Sequence, residues 1–549
     1  MMNPTSRRTF LRATGATAIM VGATPLAAWK QACNNHQLTD AILQEFSQTL
    51  SGDLVLPTDG LYQWARLIHH TNFDGIYPVG IVFCETPEDV SKAILFARQF
   101  GLHVTARGGG HSYEGYSVTG GLLIDVSRMN SVSVNPAAMT AVVGAGAVLI
   151  DVYHGLYYPH KLSIPGGSCP SVGIAGYLLG GGVGLQSRTY GVGCDRVLEI
   201  GVVLASGEYV VASPTNHSDL YWAYRGGGGG NFGVVTHFKM QCHPVDRLSY
   251  AIITWDWEAA APAFNAWQNW LKGLGEDYRN FSIFKFLVNA GGDGGLGPKV
   301  NLIVQFDSQS NTGTGELETL MAPLLNTAHE HIVSQTIMNG DFFEVTMEIM
   351  AGCAWPKTDL DTEFLRCHTV GNPAFPMASL PRDTYKAKST FFADVISEKG
   401  IETCIKAIED RFNSNLPDNS SQFTCALQFD SEGGIMGDVP KDATAFMHRD
   451  CLMHCQYLAY WPAEGDAWFD DNPDYSYCDV SNGSMQWISD AFNVLWPFGN
   501  GHAYQNYIDK EQPNWLYAYY GENVERLRTV KAKYDPDNIW KFEQSIPPA

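Results

Sequence analysis

Glycine placement constrains this chain more than any other feature. Arg107-Gly108-Gly109-Gly110-His111-Ser112-Tyr113 follows an apolar segment. Gly167-Ser-Cys169-Pro-Ser-Val-Gly173-Ile-Ala-Gly176-Tyr177-Leu-Leu-Gly-Gly181-Gly182-Val-Gly184 carries a cysteine near its head, and Arg225 to Thr236 begins with five glycines. Without Cβ atoms, such segments let the backbone and its N–H groups approach a ligand closely. A nicotinamide-binding turn needs G-x-G-x-x-G opening a helix, with an acid about twenty residues on. Here the first glycine turn runs into a histidine instead, so that cofactor fits poorly.

The elements around these turns set the fold. Val79 to Phe83 reads as a strand. Thr86-Pro87-Glu88-Asp89 then opens a helix, with Thr as N-cap, Pro at the first position and acids in the first turn. Gly101 ends it, and Leu102 to Ala106 is a strand entering the glycine turn. Short strands follow at Gly121–Val126, Thr140–Gly144 and Glu199–Leu204, the last closed by Ser206-Gly207. From about Arg247 the pattern becomes longer strands (Ser249–Trp257, Phe281–Asn289, Val300–Asp307, Gln422–Asp430, Leu452–Trp461) with helices between, such as Ala259–Leu271 and Glu398–Phe412. That predicts an antiparallel sheet backed by helices. A chain of 549 residues is long for a single core.

Net charge is −22, which repels phosphate backbones and anionic lipid, so nucleic acid and membrane-surface partners are excluded. The 12 cysteines form no C-x-x-C pair and no zinc spacing, and no metal is expected. Ser6-Arg7-Arg8-Thr9-Phe10-Leu11-Arg12 before a mildly apolar Ala13–Ala28 resembles a bacterial twin-arginine signal, residues 1–28. The expectation is an exported protein with no membrane insertion in its mature form.

The histidine and the cysteine, each in its glycine context, resemble the two covalent anchors of FAD in the berberine-bridge-enzyme-like oxidases of the vanillyl-alcohol-oxidase (PCMH-type) superfamily. Arg225–Thr236, Tyr504-Gln-Asn506-Tyr507, Tyr519-Tyr-Gly521-Glu-Asn523 and the tail through Gln544-Ser-Ile are similar to further family segments. The resemblance implies an α+β fold: a PCMH-type FAD-binding domain (40–245), a substrate-binding antiparallel-sheet domain backed by helices (246–496), and a C-terminal segment (497–549) returning to the first. It implies FAD bonded through His111 to the 8α-carbon and through Cys169 to C6. Arg107, Gly108, Gly109, Gly110, Ser112, Tyr113, Gly173, Gly176, Tyr177, Gly181, Gly182, Gly184, Gly229, Gly230, Val235 and Asn506 would surround the cofactor. Tyr177 departs from the family, which often has a histidine there. Val172 occupies a position where a small aliphatic residue favours access of O2.

Strand alternation puts Gln428 and Asp430 on one face, and His454 and Gln456 on one face. An apolar core would not select these residues, whereas a polyhydroxylated substrate would, since Gln and Asp together donate to and accept from adjacent hydroxyls. The same residues resemble the substrate sheet of the carbohydrate oxidases. Tyr507 is the candidate base, with Asp430 accepting its proton, because a free phenol is a poor base at neutral pH. Tyr113 and Tyr504 would line the pocket and Gln456 would orient the substrate. The expected reaction oxidises an alcohol carbon, the anomeric C1–OH of a sugar or oligosaccharide, to a lactone, with O2 reduced to H2O2. An oxidase or dehydrogenase of the same fold acting on a secondary-metabolite alcohol or amine is the alternative, and an electron-relay flavoprotein a third.

Overall fold

The computed structural model describes residues 38–275, 277–288, 297–308, 313–350, 364–369, 378–414 and 425–549. The twin-arginine segment lies outside them. The first sheet has the strand order Asp53–Val55, Gly80–Phe83, Leu122–Asp125, Val104–Arg107, its last three strands parallel and its first antiparallel. The helix Pro87–Phe100 provides the crossover. Thr86 and Asp89 form a reciprocal capping box, Pro87 sits in the first turn, and Gly101 ends the helix at φ +62°. Beside this lies a five-stranded antiparallel sheet, ordered Val132–Asn135, Thr140–Gly144, Gly233–Gln241, Val197–Leu204, Tyr209–Ala212.

The glycines explain how these layers meet. A Cβ on Gly109 would stand 2.3 Å from the Gly173 nitrogen, and one on Gly173 would stand 2.3 Å from the Gly109 nitrogen. The histidine turn and the cysteine loop are therefore in backbone contact, which only glycine at both positions allows.

The third large sheet is antiparallel and seven-stranded: Ile332–Asp341, Arg247–Asp256, Lys299–Phe306, Asn280–Leu287, Cys425–Ser431, Met453–Tyr460, Tyr385–Phe392. One face packs on the helices Ala260–Gly273, Glu398–Phe412 and Tyr477–Leu495, burying Trp255, Trp267, Phe284, Phe286, Phe429 and Tyr457. Alternation sends the intervening residues to the other face, where Ile283, Lys285, Gln428, Asp430 and Gln456 line a cavity. The helices thus hold the sheet by its apolar side and leave its polar side to the cavity.

The α+β architecture agrees with expectation, and the sheet is larger than the sequence suggested. Ile332–Asp341 is an edge strand with four consecutive exposed positions, Val333 to Thr336, and so lacks the apolar alternation that marks a half-buried strand. Tyr385–Phe392 carries two lysines, half-buried Lys386 and buried Lys388, both in ion pairs with Asp509. The C-terminal helix Val524–Tyr534 packs back on the glycine-rich region. Lys531 Nζ donates to the Asn231 carbonyl at 2.7 Å and to Asp535 at 2.7 Å. No helix among the described residues is long and apolar enough to cross a membrane.

Candidate active site

A cavity of about 890 Å³ runs between the glycine loops and the polar face of the large sheet. Its walls come from parts of the chain that are distant in sequence, among them the turns at 107–113 and 167–185, the glycines at 229–230, the strands of the substrate sheet, and residues 504–508.

His111 lies on the cavity wall, stacked on His69 with ring centroids 3.9 Å apart. Its Nε2 is 2.9 Å from Ser171 Oγ. Enclosure, and to a lesser extent His69, holds its pKa well below the ordinary histidine value, so the ring is neutral. Cys169 opens onto the same cavity as a free thiol, with its sulfur 4.0 Å from the same Ser171 Oγ. Burial raises this thiol, partly offset by Ser171. Ser171 therefore joins the two anchor candidates. It was not expected from the sequence, although its place two residues after the cysteine in the glycine loop was a usable signal.

Most of the other expected cofactor positions line the cavity: Gly108, Gly109, Gly110, Ser112, Gly173, Gly176, Gly184, Gly229, Gly230, Val235 and Asn506. Gly181 and Gly182 correct the expectation, while Arg107 and Tyr504 line the cavity with polar groups committed to protein partners. The Arg107 guanidinium is spent on Asp125 and on the Ala65 and Leu67 carbonyls, so it braces the turn rather than offering a cation to a ligand. Gly181 and Gly182 lie behind the wall. A Cβ on Gly181 would strike the Phe446 ring, and the Gly182 N–H donates to Tyr504 Oη at 3.0 Å. Tyr504 also accepts from Val183 N–H and Asn506, so its oxygen anchors the loop, while its O–H donor has no protein acceptor among the described residues. Tyr177 lines the cavity with its ring, while its hydroxyl lies 2.9 Å from the Pro165 carbonyl and 2.8 Å from that of Gly182. It packs the loop where a histidine would have presented a ring nitrogen.

At the sheet, Gln456 Nε2 donates to Tyr113 Oη at 2.8 Å, and Gln428 Nε2 donates to Asp430 at 3.0 Å. Tyr113 and Tyr507 are parallel, with centroids 5.4 Å apart. Tyr507 faces the cavity and makes no hydrogen bond through its hydroxyl among the described residues. Burial, then Tyr113 and Asp430, push its pKa well above the ordinary phenol value. Tyr507 makes no direct hydrogen bond to Asp430, its expected proton acceptor, although the carboxylate lies within its field. Asp430 instead belongs to a buried group: His454 Nε2 lies 3.4 Å from it, and His454 Nδ1 contacts Glu432. Burial raises Asp430 to about 6, with His454 opposing and Glu432 adding to the rise. His454 is raised against its own desolvation by these two carboxylates. Glu432 was missed, although it continues the 428–430 alternation by one step.

The cavity tests whether a flavin fits. A Cβ at Gly176 would meet no protein atom within 4 Å, and one at Gly229 only Leu179 at 3.9 Å, so both glycines present bare backbone to open space. A cavity with bare glycine backbone on its wall and a neutral imidazole beside a thiol suits FAD. The fold and cavity are those of a PCMH-type flavoprotein. Residues 78–213 match the FAD binding domain family model, and residues 503–547 match the berberine and berberine-like model. The FAD-linked oxidoreductase YgaK of Bacillus subtilis is 34% identical over 504 residues, covering 91% of this chain and 97% of that protein. Among solved structures, BBE-like 1 of Physcomitrella patens is similar with 29% identity and a TM-score of 0.77, covering 92% of this chain and 99% of that one. A chitooligosaccharide oxidase shares the fold at 23% identity and a TM-score of 0.74, with coverage of 92% and 99%. The chain belongs to the berberine-bridge-enzyme-like family of FAD-linked oxidoreductases.

Proposed function

We propose that this protein is an exported oxidase that oxidises an alcohol carbon, the anomeric C1–OH of a sugar or oligosaccharide, to a lactone and passes the electrons to O2 as H2O2. The observation that carries this reading is the polar face of Gln428, Asp430 and Gln456 opposite Tyr507, in the same cavity as His111 and Cys169. The solved neighbour named a chitooligosaccharide oxidase lends support through its fold. The N-terminal twin-arginine pattern supports export, and Val172 on the cavity wall supports access of O2.

FAD, when bound, supplies the two-electron acceptor. His111 and Cys169 would tether it, with Ser171 engaging Nε2 of His111 and leaving Nδ1 for the bond. Gln456, fixed by Tyr113, orients the substrate, and the Oε1 atom of Gln428 remains to accept from a hydroxyl while its Nε2 is bound to Asp430. Tyr507 accepts the hydroxyl proton as it delivers its own to Asp430, across one water or through a contact that tightens on substrate binding. Asp430 suits that role because burial makes it more basic than an ordinary carboxylate. The stacked Tyr113 and Tyr507 rings favour a second reading, an aromatic secondary-metabolite alcohol lying against the aromatic wall they form.

Anaerobic flavin bleaching against a panel of sugars and aromatic alcohols, followed by O2 uptake, tests the proposal. Bleaching by sugars and peroxide release are expected. Bleaching by aromatic alcohols alone would overturn the carbohydrate reading. Acid precipitation should leave a yellow pellet, and colour in the supernatant would refute the tether.

A further inference from the structure

Three cations line the cavity among the described residues: Arg107, Arg382 and Lys285. Two of them are committed. Arg107 pairs with Asp125, and Arg382 holds Asp74 with both terminal nitrogens. Lys285 is different. It sits in the strand Asn280–Leu287, directly across from Gln428, and shares the cavity face with Phe281 and Ile283. Among the described residues it makes no hydrogen bond and no ion pair. The nearest carboxylate in its field, Asp430, is already engaged by Gln428 and His454.

A half-buried ammonium facing a cavity without a protein partner loses part of its hydration and keeps its three donors available to a ligand. Desolvation accordingly pulls Lys285 below the ordinary lysine value, with only partial compensation from Asp430. Leucine or methionine would fill the same space beside Ile283 without that cost, so the charge is useful only when something occupies the cavity. The pairing register extends the row: Lys285 faces Gln428, and Gln428 faces Gln456. Two strand spacings separate the Cα atoms of Lys285 and Gln456, about 10 Å. The ammonium therefore meets a part of the substrate remote from the hydroxyl that Gln456 and Tyr507 handle.

We propose that Lys285 is a specificity residue that binds a carboxylate on the substrate, so that the preferred substrate is an acidic polyol such as a hexuronic acid or an oligosaccharide containing one. This rests on the carbohydrate reading above for the polyol and on Lys285 alone for the acid.

The test uses the flavin-loaded enzyme and two matched pairs. Glucarate and glucitol, an acid and a neutral polyol without an anomeric carbon, are compared by calorimetric binding. Glucuronic acid and glucose are compared by anaerobic bleaching. The wild type should bind glucarate about ten- to a hundredfold tighter than glucitol, the size of one charge-assisted hydrogen bond, with the same ratio in the second-order rate of bleaching for glucuronic acid over glucose. Lys285→Met should erase the preference and Lys285→Arg should keep most of it. Lys285→Gln serves if the methionine variant does not fold. Equal binding of the acid and neutral polyols by the wild type, or a preference that survives Lys285→Met or Lys285→Gln, would overturn the proposal. If glucose bleaches the flavin with no advantage for the acid, this proposal falls and the carbohydrate reading stands. If no sugar bleaches it but Lys285-dependent glucarate binding persists, the carbohydrate reading falls and the anion site stands.

Discussion

Asp430 gives the sharpest test of the chemistry. Its carboxyl is held at about 6 by burial, with His454 3.4 Å away favouring the ionised form. If it must be ionised to receive the Tyr507 proton, the rate of flavin reduction at saturating substrate has an acid limb near that value. A group titrating at about 6 is about 97% ionised at pH 7.5 and about 10% at pH 5, so bleaching should slow roughly tenfold across that range. Replacing His454 with Asn removes the charge that favours ionisation and leaves Glu432 to repel it. The limb should then move upward by about 1 to 3 pH units, the usual effect of losing a close opposite charge. Anaerobic stopped-flow bleaching from pH 5 to 9 measures both. A wild-type rate flat between pH 5 and 7.5, or a His454→Asn limb that moves down, would refute the reasoning. Asp430→Asn should abolish the limb and cost about 10²- to 10⁴-fold in rate, the range of general acid–base catalysis.

Other consequences concern the scaffold. Gly109→Ala would force a Cβ to 2.3 Å from a backbone nitrogen that cannot rotate away, so it should cost about 1–3 kcal/mol in urea unfolding and reduce flavin per chain; wild-type values for both would show that the two loops need not touch. Lys531→Met would leave Asp535 buried without its cation, and a loss of about 3–5 kcal/mol is expected in the same assay. An unchanged midpoint would mean that the Asp535 contacts from the Ile539 and Trp540 N–H groups suffice.

Much of the fold was legible because local rules and tertiary packing agreed. Thr86, Pro87, Asp89 and Gly101 bounded one helix correctly, and period-two alternation placed Gln428, Asp430 and Gln456 on the cavity face. The failures share a cause: a side chain's type does not reveal where its polar atoms are spent. Arg107 and Tyr504 stand in ligand-binding motifs, yet the Arg107 guanidinium and the acceptor side of the Tyr504 hydroxyl are taken up by protein partners tens to hundreds of residues away. Tyr385–Phe392 was unreadable as a buried strand because its lysines are neutralised by Asp509, which sequence distance hides. Glu432 and Lys285 were within reach of the alternation argument had it been carried one strand and one step further.

The wall formed by Tyr504, Asn506 and Tyr507 and the clamp of Lys531 on Asn231 have a consequence for biosynthesis. Residues 107–235 leave the ribosome hundreds of codons before their partners and until then form an open trough. A cofactor meeting that trough early finds nothing to seal it in, so stable capture must wait for residues 504–531 to be made. Loading is therefore tied to the appearance of residues 504–531 rather than of the trough that they close.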